Sequence, residues 1–171
     1  MPSIDPDASH PAIERVTAAA VAAGCRIEVR RHPAGARTAV DAARAIGCDV
    51  AQIVKSLVFM ADGAPVIALV SGSNRLDTGR LAAACDGATV RRADADEARD
   101  ATGYAIGGVP PFGHARRMRV LVDRDLTAFE FVHAAAGLPD ATFAIAPAEL
   151  LRVSGGELAD IAERPGQDAP A

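Results

Sequence analysis

The stretch Ile53-Val54-Lys55-Ser56-Leu57-Val58-Phe59-Met60, followed by Asp62-Gly63 and then Pro65-Val66-Ile67-Ala68-Leu69-Val70, reads as two strands joined by a hairpin turn. Both runs are apolar nearly throughout, so both are expected to be central strands covered on two faces. Alternation along the first strand puts Val54, Ser56 and Val58 on one side, and Ile53, Lys55, Leu57 and Phe59 on the other. Lys55 is the only lysine in the chain, against seventeen arginines. It shares its face with three large apolar residues, where an ammonium without a partner is costly. An anion is therefore expected beside it, either a carboxylate of the protein or a phosphate or carboxylate of a ligand. The plainer readings are an edge-strand lysine or one that snorkels to solvent. A Schiff-base lysine is chemically feasible, but no other residue supports it.

Helical and strand patterns alternate irregularly on either side of this hairpin. Before it, Ser9 can cap a helix over roughly Pro11 to Ala23 that stops at Gly24. Arg26 to His32 alternates as a half-buried strand ending at Pro33, and Thr38 with Asp41 suggests a capped helix through Ile46, closed by Gly47. After it, the patterns give a helix from Leu76 to Ala84, a strand from Ala88 to Arg91 and a polar helix from Asp94 to Thr102. Met118 to Val122 then reads as a strand, Ala128 to Ala136 as a helix, Thr142 to Ile145 as a strand and Pro147 to Leu151 as a helical turn. A mixed sheet with helices packed around it follows, an α/β (mixed α+β) fold rather than a doubly wound parallel sheet. One domain is expected over residues 9–163, with residues 1–8 and 164–171 disordered.

The 171 residues carry a net charge of -4, which disfavours holding nucleic acid through a broad basic surface, although recognition of one RNA end remains compatible. Local basic clusters occur at Arg30 and Arg31, at Arg91 and Arg92, and at Arg116, Arg117 and Arg119. No apolar run approaches the ~18 residues of a membrane span, and no basic-then-apolar leader opens the chain. A cytoplasmic protein without a membrane or DNA partner is expected. Cys25, Cys48 and Cys85 have neither zinc-site spacing nor a disulfide framework, and read as small packed thiols.

The second candidate feature is Gly103 to Gly113, with four glycines and two adjacent prolines. Glycine lets backbone N–H groups approach a ligand, and proline stiffens the loop. Such a loop suits an oxyanion site, and an ordinary tight turn is the bland alternative. It is not a phosphate loop, because neither G-x-x-x-x-G-K-[ST] nor G-x-G-x-x-G occurs. Among the histidines, His32 ends a strand and His114 follows the loop, so both are candidates to touch substrate. His10 starts a helix, and His133 falls on a helical pattern as a packed or exposed residue.

Together these residues resemble the YbaK/ProX family of aminoacyl-tRNA deacylases, related to the editing domain inserted in bacterial prolyl-tRNA synthetases. The resemblance is carried by Ile53 to Phe59 around the strand lysine, by Ile67 to Asp77 with its Arg75-Leu76-Asp77, and by Gly103 to Gly113. It extends through Val120-Leu121-Val122-Asp123 and through Ala136-Gly137 to Leu151, covering roughly residues 25–163. It implies a curled mixed sheet surrounded by helices. It also implies hydrolysis of the ester between a small amino acid (Ala, Cys or Ser) and the terminal ribose of tRNA, with tRNA(Pro) as the expected carrier and prolyl-tRNA synthetase as an expected partner. Neither cofactor nor metal is expected.

Under that resemblance Lys55 holds the terminal phosphate or orients the ester, while the N–H groups of Gly107 and Gly108 hold the carbonyl and its developing oxyanion. His32, Ser71, Asn74, Arg75, Pro110, Gly113, His114 and Asp123 are expected to bind substrate. Asp123 is also a candidate partner for Lys55, Asp77 a helix cap, and Arg116 and Arg117 contacts for acceptor-stem phosphates. Pro110 departs from members acting on cysteinyl-tRNA, which tend to carry serine there, so the amino acid removed stays open. The rival reading is a non-catalytic module that binds an aminoacyl group or nucleotide and regulates a synthetase.

Overall fold

The computed structural model describes residues 10–32 and 38–165. The hairpin forms as its sequence demands: β2 (Val54–Ala61) pairs antiparallel with β3 (Ala64–Ser71) through all eight residues. Asp62 and Gly63 turn the chain with φ of 48° and 81°, the left-handed pair that a two-residue hairpin requires. The short β1 (Arg30–Arg31) precedes it, and β4 (Val90–Arg92), β5 (Arg119–Asp123), β6 (Val132–Ala135), β7 (Ala141–Ile145) and β8 (Glu157–Ala159) follow. The larger sheet has the order β4-β2-β3-β5-β8; its β4-β2-β3 part is antiparallel and its β3-β5-β8 part parallel. The hairpin is thus central, and residues from Ile67 to Val70 have no exposed surface.

A second sheet, β1-β7-β6, is antiparallel and meets the first at a single parallel bridge between Ile53 and His133. At this junction the residue just before β2 links the two sheets. Among the described residues, five helices pack around the sheets: α1 (Pro11–Ala22), α2 (Ala39–Ile46), α3 (Thr78–Ala84), α4 (Ala95–Thr102) and α5 (Pro147–Ser154). Their ends obey local chemistry. Thr38 with Asp41, and Asp94 with Glu97, form reciprocal capping boxes; Asp77 caps α3; and Gly47, Gly103 and Gly155 close helices in the left-handed conformation.

Several sequence expectations change. Ala128 to Ala136 is not a helix: a 3-10 turn over Arg124–Ala128 leads into β6, paired from Val132 to Ala135 with Ile145 to Thr142 of β7. Alanine-rich composition favours helix, but burial of Val132 and Ala134 with exposure alternating between them is a strand's pattern, and pairing with β7 overrides propensity. From Arg26 to His32 only Arg30 and Arg31 form a ladder, although Ile27 and Val29 still pack on the core. His10 caps α1, its ring nitrogen accepting from the Ala12 N–H at 3.0 Å, whereas the expected cap Ser9 lies outside the described residues. The expected disordered segment 1–8 and the strand end at Pro33 also lie outside them. Arg164, expected to open a disordered tail, is tied by ion pairs to Asp125 at 2.7 Å and Asp160 at 3.0 Å; residues 166–171 lie outside the described set.

Candidate active site

β2 has β3 on one edge throughout, but its other edge is shared. β4 pairs only with Phe59 to Ala61, and β6, which packs alongside β2, bridges only to Ile53 just before it. A cavity of about 320 Å³ opens in the interval between them. Its floor is Ile53 to Val58. One wall is Arg92, Ala93 and Ala98; another is His133, Ala134, Ala135 and Thr142; Thr38, Ala39 and Ala42 at the start of α2, with Ile106, Gly107, Val109 and Pro139, complete it. Lys55 and Gly107, read from sequence as the two halves of one site, therefore line the same space.

Lys55 meets its anion indirectly. Its Nζ donates to the backbone carbonyl of Asn74 at 2.5 Å. The Asn74 side-chain amide in turn donates to Asp123 at 2.9 Å and to Asp125 at 2.8 Å. Asp123 is a fully buried carboxylate that also accepts from the backbone N–H groups of Ser71 and Asp125, each at 3.0 Å. Burial pushes the Lys55 ammonium below its ordinary pKa; the Asp123 charge opposes that shift, and the Arg75 and Arg92 charges add to it. The anion required by a half-buried lysine is thus Asp123, acting through Asn74. The three cations Lys55, Arg75 and Arg92 leave the region electropositive, which suits a phosphate.

This arrangement reassigns three expected substrate contacts. Asn74 aims its amide at two carboxylates, Asp123 is enclosed, and the Ser71 hydroxyl donates to the Ala51 carbonyl at 2.7 Å with the residue 1% exposed. None of the three lines the cavity. Each holds the floor rather than facing it. Arg75 is exposed at the side and also does not line the cavity.

Within the loop, Gly107 has φ of 92° and lines the cavity, and its N–H has no acceptor among the described residues. Gly108 differs. Its N–H donates to the Ala105 carbonyl at 3.0 Å, closing a turn, and a Cβ there would stand 2.7 Å from the Gly137 carbonyl oxygen. Gly108 is glycine because the backbone at Gly137 and Leu138 presses on it, so of the two expected donors only the Gly107 N–H is left without an acceptor among the described residues. Pro110 and Gly113 lie outside the cavity lining: the Pro110 carbonyl receives the His114 ring nitrogen at 2.7 Å, and Gly113 sits against Ala19 of α1. His114 therefore clasps the loop from behind, and burial lowers its pKa.

His32 stands one residue back, its Nε2 2.6 Å from the hydroxyl of Thr142, which lines the cavity. Sequence reasoning missed His133. Read on a helix, it had no reason to face the site; on β6 it lies in the wall, with its pKa lowered by burial, then by Arg30 and His32. Arg92 was also passed over as one of a solvated pair. Its neighbour Arg91 pairs with Glu97 at 2.6 Å, whereas Arg92 lines the cavity and makes no ion pair among the described residues. Arg116, expected on phosphate, pairs with Asp100 at 2.6 Å. The only signals available for His133 and Arg92 were alternation along β6 and the strand edge at β4.

Comparison with known proteins places this geometry. The aminoacyl-tRNA editing domain family matches residues 33–153. A solved structure described as "a putative trans-editing enzyme for prolyl tRNA synthetase" superimposes with a TM-score of 0.86 at 43% identity, covering 91% of this chain and 99% of the other. The "Uncharacterized protein YwhH" of Bacillus subtilis is 31% identical over 127 residues, 74% of this chain and 81% of its own length. The "Putative Cys-tRNA(Pro)/Cys-tRNA(Cys) deacylase EbsC" of Enterococcus faecalis is 26% identical over 72% of this chain and 76% of its own. Proline--tRNA ligase of Citrifermentans bemidjiense shares a stretch of 92 residues at 34% identity, 54% of this chain and 16% of the ligase. With the lysine-floored cavity and glycine loop inside the matched segment, the chain belongs to the aminoacyl-tRNA editing domain family and is an aminoacyl-tRNA deacylase.

Proposed function

We propose that this deacylase acts in trans on mischarged tRNA(Pro), hydrolysing the ester of a small amino acid such as alanine, cysteine or serine. The observation that carries the reading is the meeting of Lys55 and the Gly107 N–H in one cavity of about 320 Å³. That volume is near the lower end for small-molecule pockets, enough for a short aminoacyl group with part of its ribose. Alanines at 39, 42, 93, 98, 134 and 135 narrow the walls. Relatives named for prolyl-tRNA synthetase and for Cys-tRNA(Pro) support the choice of carrier.

Lys55, with Arg92 beside it, holds the 5′-phosphate of the terminal nucleotide and so fixes the ester. The Gly107 N–H donates to the carbonyl oxygen as it gains charge, a contribution of roughly 3 kcal/mol for one well-placed donor. Water is the nucleophile, positioned in part by the free ribose hydroxyl. It adds to the carbonyl carbon and the ester C–O bond breaks; the water's second proton is released to solvent, the amino acid leaves as its carboxylate, and the other proton of the water passes to the ribose oxygen. His133, in the wall, is placed to relay that proton. Asp123 and Asn74 act as positioning residues for Lys55.

A panel of alanyl-, cysteinyl-, seryl- and prolyl-tRNA(Pro) tests this directly. Hydrolysis of at least one mischarged species, well above that of prolyl-tRNA(Pro), is expected. Hydrolysis of none, with saturable binding, would instead favour a regulatory binding module.

A further inference from the structure

Between Ile53 and Val58 the floor of the cavity includes a short strand edge with which no other strand pairs among the described residues. The Ile53 carbonyl accepts from Gly72 on the β3 side, and the Val58 carbonyl accepts from Ala93 on the opposite side. Backbone groups alternate along a strand, so those of Ser56, like those of Val58, point away from β3. That direction is the gap between β4 and β6, where the cavity lies. The Ser56 N–H and C=O thus present one open antiparallel pairing position inside the site. The Ser56 hydroxyl adds a second signal. It is buried, lines the same space with its residue, and has no hydrogen-bond partner among the described residues.

An aminoacyl group carries, one atom either side of its Cα, a donor on nitrogen and an acceptor on the carbonyl. This is the complement of a single antiparallel pairing position, in which two facing residues exchange both hydrogen bonds. We infer that the aminoacyl group docks as a one-residue extension of the sheet on Ser56, its α-amino group donating to the Ser56 carbonyl and its own carbonyl accepting from the Ser56 N–H. The mode is strand addition reduced to one residue. It fixes the side chain's direction, because a residue in a sheet must point to one face or the other. Its carbonyl oxygen keeps a second lone pair for Gly107. The Ser56 hydroxyl lies beside the incoming group, available to a polar atom on it.

This inference rests on the proposed aminoacyl substrate but can fail separately from it. The probe is 3′-(L-alanylamino)-3′-deoxyadenosine, an uncleavable amide, compared with its N-acetylated and its lactoyl counterparts, which block or replace the α-amino group. The Ser56 amide proton is followed by NMR during titration. At least tenfold weaker binding of both counterparts is expected, with a downfield shift of the Ser56 N–H on binding the alanyl probe, and Ser56→Ala is expected to keep that discrimination because its backbone is unchanged. Equal binding of the three, no binding of the alanyl probe, or loss of discrimination in Ser56→Ala would each overturn the strand-edge mode. Hydrolysis of mischarged tRNA in the panel above would stand regardless.

Discussion

Replacing Asp123 with asparagine perturbs the support of Lys55 without changing its shape. The carboxylate accepts three N–H groups: Ser71 and Asn74 on one oxygen, and Asp125 on the other. An amide keeps at most two, by leaving its oxygen toward Ser71 and Asn74, and its own NH2 then faces the Asp125 N–H. A buried donor left unpaired costs about 1–3 kcal/mol, and the two surviving bonds lose charge assistance worth about 1 kcal/mol each. Part is returned because a fully buried charge no longer needs desolvating. A net loss of about 2–4 kcal/mol follows, which for a chain of this size lowers Tm by about 4–15 °C.

The same change reaches Lys55. Asp123 is the charge that opposes the burial-driven fall of the Lys55 pKa, so its removal lowers that pKa further. Lys55 is charged below its pKa and neutral above it; any step needing the ammonium therefore fails at lower pH in the variant. For stability the sign is opposite. Between the depressed folded pKa and the ordinary value of 10.5 the unfolded chain binds more protons, so stability rises with pH across that window, and the variant widens it. Because the chain has a single lysine, 13Cε-lysine labelling gives one resonance whose titration reads Lys55 alone. Asp123→Asn should move it to lower pH and lower the urea midpoint. An unchanged Lys55 titration with a wild-type midpoint would refute the chain from Asp123 through Asn74.

The two loop glycines should separate. Gly108→Ala places a Cβ 2.7 Å from the Gly137 oxygen and 2.9 Å from the Leu138 Cα, so about 1–3 kcal/mol of stability is lost in denaturant titration. Gly107→Ala meets nothing closer than 3.5 Å and costs only its φ of 92°, about 1 kcal/mol, yet should lower kcat more than Gly108→Ala does. Burial, then Arg30 and His32, hold His133 below its ordinary 6.5, so it is neutral at pH 7. An acid limb in kcat that depends on it should lie below pH 6.5 and vanish in His133→Gln; a wild-type limb at or above 6.5 contradicts the assignment. Arg92→Ala should raise KM for tRNA several-fold with little change in kcat, and reduce the salt slope of binding by about one.

The hairpin was legible because its two apolar runs and Asp62-Gly63 are local signals, and local signals also gave the caps at Thr38 and Asp77. β6 was not legible. Val132-His133-Ala134-Ala135 is short and alanine-rich, and becomes a strand only because β7 pairs with it from farther along the chain. That single misreading hid His133, since a residue's direction changes with the period assumed for its element. Lys55 was found through its contrast with seventeen arginines and its apolar neighbours, both visible in sequence. Its partner was half found: Asp123 was named, but the route through the Asn74 backbone depends on where β3 ends and β5 stops, and no spacing announces that. Gly107 and Gly108 look alike in sequence, and only the press of Gly137 and Leu138 on one of them distinguishes their work.

The most direct test of the account is single-turnover deacylation of alanyl-tRNA(Pro) by the wild-type chain, Lys55→Arg and Lys55→Ala, each checked for a native melt. The account predicts a loss of at least a hundredfold in Lys55→Ala and partial recovery in Lys55→Arg, since a cation returns without lysine's compact charge. Wild-type rates in a folded Lys55→Ala protein would contradict it.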